Sequence, residues 1–280
     1  LPDSGYTDMA IATGPLAYWP LNEPAGPIAT DYMGGHNANY SSGGVTYDIA
    51  GPVGTNVVTL NGSSGQVAYP YSADLNPSGP FTAEAWLNPA SVSSSLLCAL
   101  SSAHAGSPRS GWLLYESTAG WEFRTYNQNG SSTAVDIKGG TPSVGTWDHV
   151  AVAWDGTNGY IYVNGALKST SAATNFVANP DSAFTIGSRS DSTFYWGGSV
   201  GDVAFYNRVL TPQEIQTHAQ DRPALQITPA GGQVVLSWVP SGGGNLLVSP
   251  VVTGPYTNIP AATSPWTNSP TGNLFYRVGF

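Results

Sequence analysis

The stretch Phe81–Pro89, FTAEAWLNP, constrains the chain most, because it alternates two kinds of side chain along its whole length. Phe81, Ala83, Ala85 and Leu87 make one row, and Thr82, Glu84, Trp86 and Asn88 the other. Successive side chains of a strand point to opposite faces. The first row is therefore expected in a core and the second, with its carboxylate and indole, on an open surface. The same period recurs downstream. In GWLLYE, Trp112 and Leu114 oppose Leu113 and Tyr115, and in WEFRTYN, Trp121, Phe123 and Thr125 oppose Glu122, Arg124 and Tyr126. In HVAVAW, Val150, Val152 and Trp154 oppose His149, Ala151 and Ala153.

Between these segments lie Gly, Pro, Ser, Thr and Asn at short intervals, with 34 glycines and 22 prolines in 280 residues, the punctuation of an all-β chain. Val57–Tyr69 reads as a hairpin turning at Asn61-Gly62 and Ser64-Gly65, and YIYVNG ends in an Asn-Gly turn. Residues 1–15 read as a lead-in. One short helix is predicted over Thr211–Ala219, with Thr211 as N-cap, Pro212 at the first helical position and Glu214 three residues after the cap.

The net charge of −9, with only eight Lys plus Arg, argues against nucleic acid and anionic membrane surfaces, because neutralising phosphates needs clustered cations. It is compatible with neutral ligands and with a bound cation. Aromatics at 11% and charged residues at 9% exclude a disordered chain. No apolar run reaches the length of a membrane span. No signal peptide is present, so Leu1 reads as the start of a mature or trimmed chain. Cys98 is the only cysteine; within LLCAL it is expected to be a buried thiol.

Several motifs in order carry a family resemblance. AYWPLNE, FTAEAWLNP, WDHVAVAWDG and FYWGGSVGDVAFYNRVL follow the patterns AYWxLxE, FTxEAWxxP, WxHVAxxxDG and FxGxIDEVRIYNRAL. Over about residues 6–220 the chain thus resembles laminin-G-like domains of the concanavalin A-like lectin/glucanase superfamily in secreted bacterial proteins. That implies a jelly-roll sandwich over residues 1–222. Gly201 departs from the pattern, which usually has Ile or Leu there. Residues 223–280 change texture, and LSW, GPYTNI and FYRV resemble the small β-sandwich modules that close many secreted bacterial proteins. Trp238, Leu236, Val234, Phe275 and Tyr276 are expected as its core. The fold expected is therefore all-β, a concanavalin A-like jelly roll with a small second β domain.

Ala29–Tyr40, ATDYMGGHNANY, resembles the family's early aspartate loop, with Met33 in place of the usual Ser. By itself Asp31 followed by glycines fits either a calcium loop or a plain Asx-turn. The resemblance favours structural Ca2+, held by Asp31 and Asp202 with groups at Gly34 and His36.

If the strands FTAEAWLNP, GWLLYE, WEFRTYN and HVAVAW share the concave sheet, their polar rows gather Glu84, Trp86, Tyr115, Glu122, Arg124, Tyr126 and His149, with room over Ala151 and Ala153. The rim loops add His104, Arg109, Phe194, Tyr195 and Trp196. Aromatic faces with planar polar groups suit sugars. The function expected is a secreted or cell-surface, monomeric, non-catalytic module that binds a polysaccharide. Two alternatives stay open. One is a glycoside hydrolase using Glu84 and Glu122, or a lyase using Tyr126 and His149 with Arg124. The other is a structural spacer. No Glu-x-Asp-x-x-Glu strand of the jelly-roll glucanases occurs.

Overall fold

The computed structural model describes residues 5–53, 55–220, 224–239, 245–269 and 272–279. The chain opens with α1 (Gly5–Ala12), β1 (Ala17–Trp19), β2 (Ile28–Ala29), β3 (Ala38–Tyr40), β4 (Val45–Ala50), β5 (Asn56–Asn61) and β6 (Val67–Tyr69). It continues through β7 (Phe81–Pro89), β8 (Leu97–His104), β9 (Ser110–Ser117), β10 (Gly120–Tyr126), β11 (Thr133–Gly139), β12 (Asp148–Trp154), β13 (Asn158–Val163) and β14 (Ala166–Ala172). Then come β15 (Phe184–Ile186), β16 (Gly197–Tyr206) and α2 (Pro212–Gln220). The remainder is β17 (Ala224–Ala230), β18 (Gln233–Val239), β19 (Asn245–Ser249), β20 (Thr257–Asn258), β21 (Trp266–Asn268) and β22 (Phe275–Gly279).

Two sheets of eight strands form the sandwich. The front sheet runs β14-β13-β12-β7-β16-β5-β4, with β1 also on β16, and the back sheet runs β11-β10-β9-β8-β15-β6-β3-β2. The core between them takes the apolar rows read from the sequence: Phe81, Ala83, Ala85 and Leu87, then Trp112 and Leu114, Trp121 and Phe123, Val150, Val152 and Trp154. The Asn164-Gly165 turn joins β13 to β14 with both residues at positive φ, as a two-residue hairpin requires.

Three expectations are corrected. Residues 57–69 are not a hairpin: β5 pairs with β4 and β16 in the front sheet, whereas β6 pairs with β3 and β15 in the back one. The Asn61–Gly65 turn therefore passes the chain between sheets. The lead-in contains a helix, α1, whose Tyr6, Met9 and Ala10 are buried at the spacing of one helical face. Most consequentially, β9 and β10 lie in the back sheet and β7 and β12 in the front one.

The helix predicted from its cap is present. Glu214 N–H donates to Thr211 Oγ1 at 3.2 Å, and Thr211 N–H donates to Glu214 Oε2 at 2.7 Å, a reciprocal capping box. Strands β17–β22 make two further three-stranded sheets that share no strand with the sandwich. Leu236, Trp238 and Leu246 are buried between them, with Val234 and Tyr276 packed against that cluster, while Phe275 is exposed rather than in the core. The boundary expected at 222/223 falls outside the described residues.

Candidate functional site

Splitting the strands between sheets splits the expected site. Glu84, Trp86 and His149 point out from the front sheet, but that face is closed. Tyr6, Met9 and Ala10 of α1 and Ile215 of α2 pack over Trp86, Ala151, Tyr162, Ala204 and Tyr206. Glu84 and His149 are fully buried there.

Beneath the helices Glu84 organises a polar cluster. Its Oε1 accepts from Tyr206 Oη–H at 3.0 Å and from His218 Nδ1 at 2.7 Å, and its Oε2 lies 3.4 Å from His149 Nε2. The far nitrogen of His218 meets the Thr13 hydroxyl at 2.9 Å, just past α1. Burial opposes ionisation of Glu84, but His218 and the contact with His149 outweigh it and hold the carboxyl well below its ordinary range. Trp86 stands edge-on to His149, with ring centroids 5.2 Å apart. This is an internal polar cluster that ties α2 and the chain just past α1 to the sheet, not a ligand surface. Trp196 is also buried. It lies in the sandwich core, and its indole N–H donates to Glu116.

Tyr115, Glu122, Arg124 and Tyr126 do come together, on the outer face of the back sheet. The register sets Glu122 opposite Tyr115 and Arg124 opposite Leu113 on β9, with Asp136 and Lys138 of β11 across from Arg124 and Glu122. Tyr115 and Tyr126 are buried with Leu113, Cys98 and Ala103 as a floor. Burial pushes the Cys98 thiol pKa up, which keeps it inert.

Guanidinium groups lie on this floor. Arg124 sits 5.5 Å from the Tyr115 ring centroid and Arg109 5.7 Å from that of Tyr126. Arg189 sits 4.4 Å from the centroid of Phe194, which is exposed and packs edge-on against Tyr115. Arg124 bonds Glu122 and, at 3.2 Å, Asp136; Lys138 is 3.1 Å from Glu122; Arg189 pairs with Asp191 at 2.7 Å. Burial raises the Glu122 pKa, partly offset by Arg124. Phe194, weighed in the sequence only as a rim residue, is the exposed aromatic that Trp196 was expected to be.

The catalytic pairs do not assemble. Glu84 and Glu122 point outward from opposite sheets of a sandwich whose layers are about 10 Å apart. Glycosidase carboxylates stand about 5–9.5 Å apart and face one another. Tyr126 and His149 are separated in the same way.

The residues expected to hold calcium do not fit it. The Asp31 carboxylate accepts four backbone N–H groups, from Tyr18 and Met33 at 2.9 Å on Oδ1, and from Gly35 at 3.0 Å and His36 at 2.9 Å on Oδ2. Oxygens turned toward four donors have no lone pairs to offer a cation. Gly34 N–H closes the same turn on Asp31 O, and His36 Nε2 bonds Asp74 at 2.9 Å. Asp202 is close, as expected for neighbouring strands β1 and β16, but it accepts from the Tyr18 and Thr55 hydroxyls. Asp31 thus builds an Asx-type loop, the simpler of the two readings. Among the described residues no group of three His, Cys, Asp or Glu is placed to hold a metal.

Solved structures share this architecture. A mutant Trypanosoma rangeli sialidase displaying trans-sialidase activity aligns at 19% identity and TM-score 0.55, over 74% of this chain and 33% of its own, so the chain spans about a third of that enzyme. The binding domain of Paraclostridial Mosquitocidal Protein 1 aligns at 12% identity and TM-score 0.60, covering 89% of this chain and 68% of its own. The Botulinum neurotoxin serotype D ligand binding domain, solved with N-acetylneuraminic acid, aligns at 14% identity and TM-score 0.58, covering 91% and 70%. These likenesses show the fold. No curated protein matches the chain. A laminin G model described as concanavalin A-like lectin/glucanases superfamily matches residues 61–216, more than half of the sequence. The chain belongs to the concanavalin A-like lectin/glucanases superfamily, in its laminin-G-like branch.

Proposed function

We propose that this chain is a non-catalytic glycan-binding module of a secreted or cell-surface protein, and that it binds through the outer face of its back sheet. The observation that carries the reading is the layer of Arg109, Arg124 and Arg189 set over Tyr126, Tyr115 and Phe194. Guanidinium edges offer paired hydroxyl-binding donors, and Phe194, exposed beside Arg189, offers apolar surface for sugar C–H groups. The Botulinum neurotoxin serotype D ligand binding domain, a structural neighbour solved with N-acetylneuraminic acid, supports carbohydrate as the ligand class. The absence of a membrane-spanning helix among the described residues is compatible with an extracellular module.

Binding rather than hydrolysis is favoured by the way the Glu122 and Asp136 carboxylates on this face are used. Glu122 and Asp136 both contact Arg124 Nη2, so the guanidinium fills the gap that a scissile bond would need. The test is incubation with a panel of soluble and insoluble polysaccharides, reading retention and released products together. Retention without products, weakened by Arg124→Ala and unaffected by Glu84→Gln in protein that remains folded, is expected. New reducing ends or unsaturated products would overturn the non-catalytic reading, and no retention on any polymer would overturn the module itself.

A further inference from the structure

We infer that the glycan carries an acidic group, a carboxylate or a sulfate, and that Arg109 is the residue that binds it. The inference rests on the glycan-binding reading and specifies its ligand.

The chain has a net charge of −9, yet four of its eight basic residues, Arg109, Arg124, Lys138 and Arg189, gather around one face. Long-range attraction of an anionic polymer is not available to a protein of this charge, so recognition of an acid must be local. Three of the four cations are already compensated. Arg124 is held by Glu122 and Asp136, Lys138 by Glu122, and Arg189 by Asp191. Arg109 makes no side-chain hydrogen bond or ion pair among the described residues; its guanidinium lies over the Tyr126 ring.

The backbone of Arg109 is nevertheless held in place. Its backbone N–H donates to Gly130 O at 2.7 Å and its carbonyl accepts from Gln128 N–H at 2.9 Å, which fixes the loop before β9 to the turn after β10. Its half-buried guanidinium lies over the Tyr126 ring with its N–H donors uncommitted, so they are free to engage a carboxylate or sulfate bidentately. The tyrosine faces below are covered, so an incoming sugar meets cations first. The compensated arginines are suited to hydroxyls and Arg109 to the charge.

The experiment measures retention and affinity on polygalacturonate, on a sulfated galactan and on neutral β-glucan and starch, for the parent protein, Arg109→Gln, Arg109→Lys and Lys168→Gln. Lys168 lies on β14 of the other sheet and controls for general charge. The expected result is retention on one or both acidic polymers, at least about tenfold weaker for Arg109→Gln, partly restored in Arg109→Lys and unchanged in Lys168→Gln. The arm that responds, uronate or sulfate, identifies the acid. Binding to neutral polymers alone, or acidic binding indifferent to Arg109→Gln, would overturn the inference and leave the glycan-binding reading standing. Retention on no polymer would overturn both. Unchanged melting of the variants shows that a loss is not unfolding.

Discussion

Replacing Glu84 by Gln tests whether the front-sheet cluster is a buried ion pair. The substitution keeps shape and volume but removes the charge that faces His218 Nδ1 at 2.7 Å and His149 Nε2 at 3.4 Å, in a site with no solvent contact. Removing one partner of a buried pair costs about 3–5 kcal/mol, because the other is left uncompensated. For a domain of this size that corresponds to a fall in Tm of roughly 6–20 °C. The assay is chemical denaturation at pH 7, read by tryptophan fluorescence, with calorimetry for Tm.

The pH profile gives a second readout. The folded pKa of Glu84 lies below the unfolded value of about 4.3, so its contribution is complete above that pH and is lost as pH falls toward the folded value. The parent protein should therefore lose stability on acidification more steeply than Glu84→Gln. A double-mutant cycle of Glu84→Gln with His218→Gln should show a coupling of more than about 1 kcal/mol. A single-mutant loss below about 1 kcal/mol, or parallel acid profiles, would show that the cluster is not an ion pair and refute the reasoning.

Glu116 behaves in the opposite sense: burial pushes its pKa up to about 7, with only the Trp196 indole opposing. The folded state thus keeps a proton that the unfolded chain releases near pH 4.3, and as pH rises through this window the parent protein should lose about 3–4 kcal/mol relative to Glu116→Gln in denaturant titrations. Chelator is expected to leave Tm unchanged, whereas Asp31→Ala, which strands four backbone donors, should cost roughly 3 kcal/mol; a chelator-dependent melt would restore a cation to this loop. A Cβ at Gly201 would lie 2.2 Å from Val57 Cγ1, so Gly201→Ala should cost about 1–3 kcal/mol in equilibrium unfolding, and added Val57→Ala should recover part of it. Recovery would show that Val57 fills the space a side chain at 201 would otherwise take.

The sequence was most informative where the signal was local. In the sandwich, alternation assigned the core rows from Phe81–Leu87 to Val150–Trp154 correctly, because the period of a strand fixes which side chains share a face. The capping box of α2 was legible because its partners lie three residues apart. Alternation does not say which sheet a strand joins or what covers its second row. The polar rows of β7 and β10 look alike in sequence, each with a carboxylate among aromatics, yet one is sealed by two helices and the other lines an outer face. What separates them is pairing at long range: Glu84 meets His218 across 134 residues. A sign of it was present. Ile215 and His218 stand three apart on a mostly polar helix, a spacing that places them on one face. A face of that kind needs a surface that is both apolar and acidic, and among the strand rows singled out, the one with Trp86 beside Glu84 offers it. That pairing leaves the row around Arg124 as the one proposed to bind glycan, and among the described residues neither α1 nor α2 packs on it.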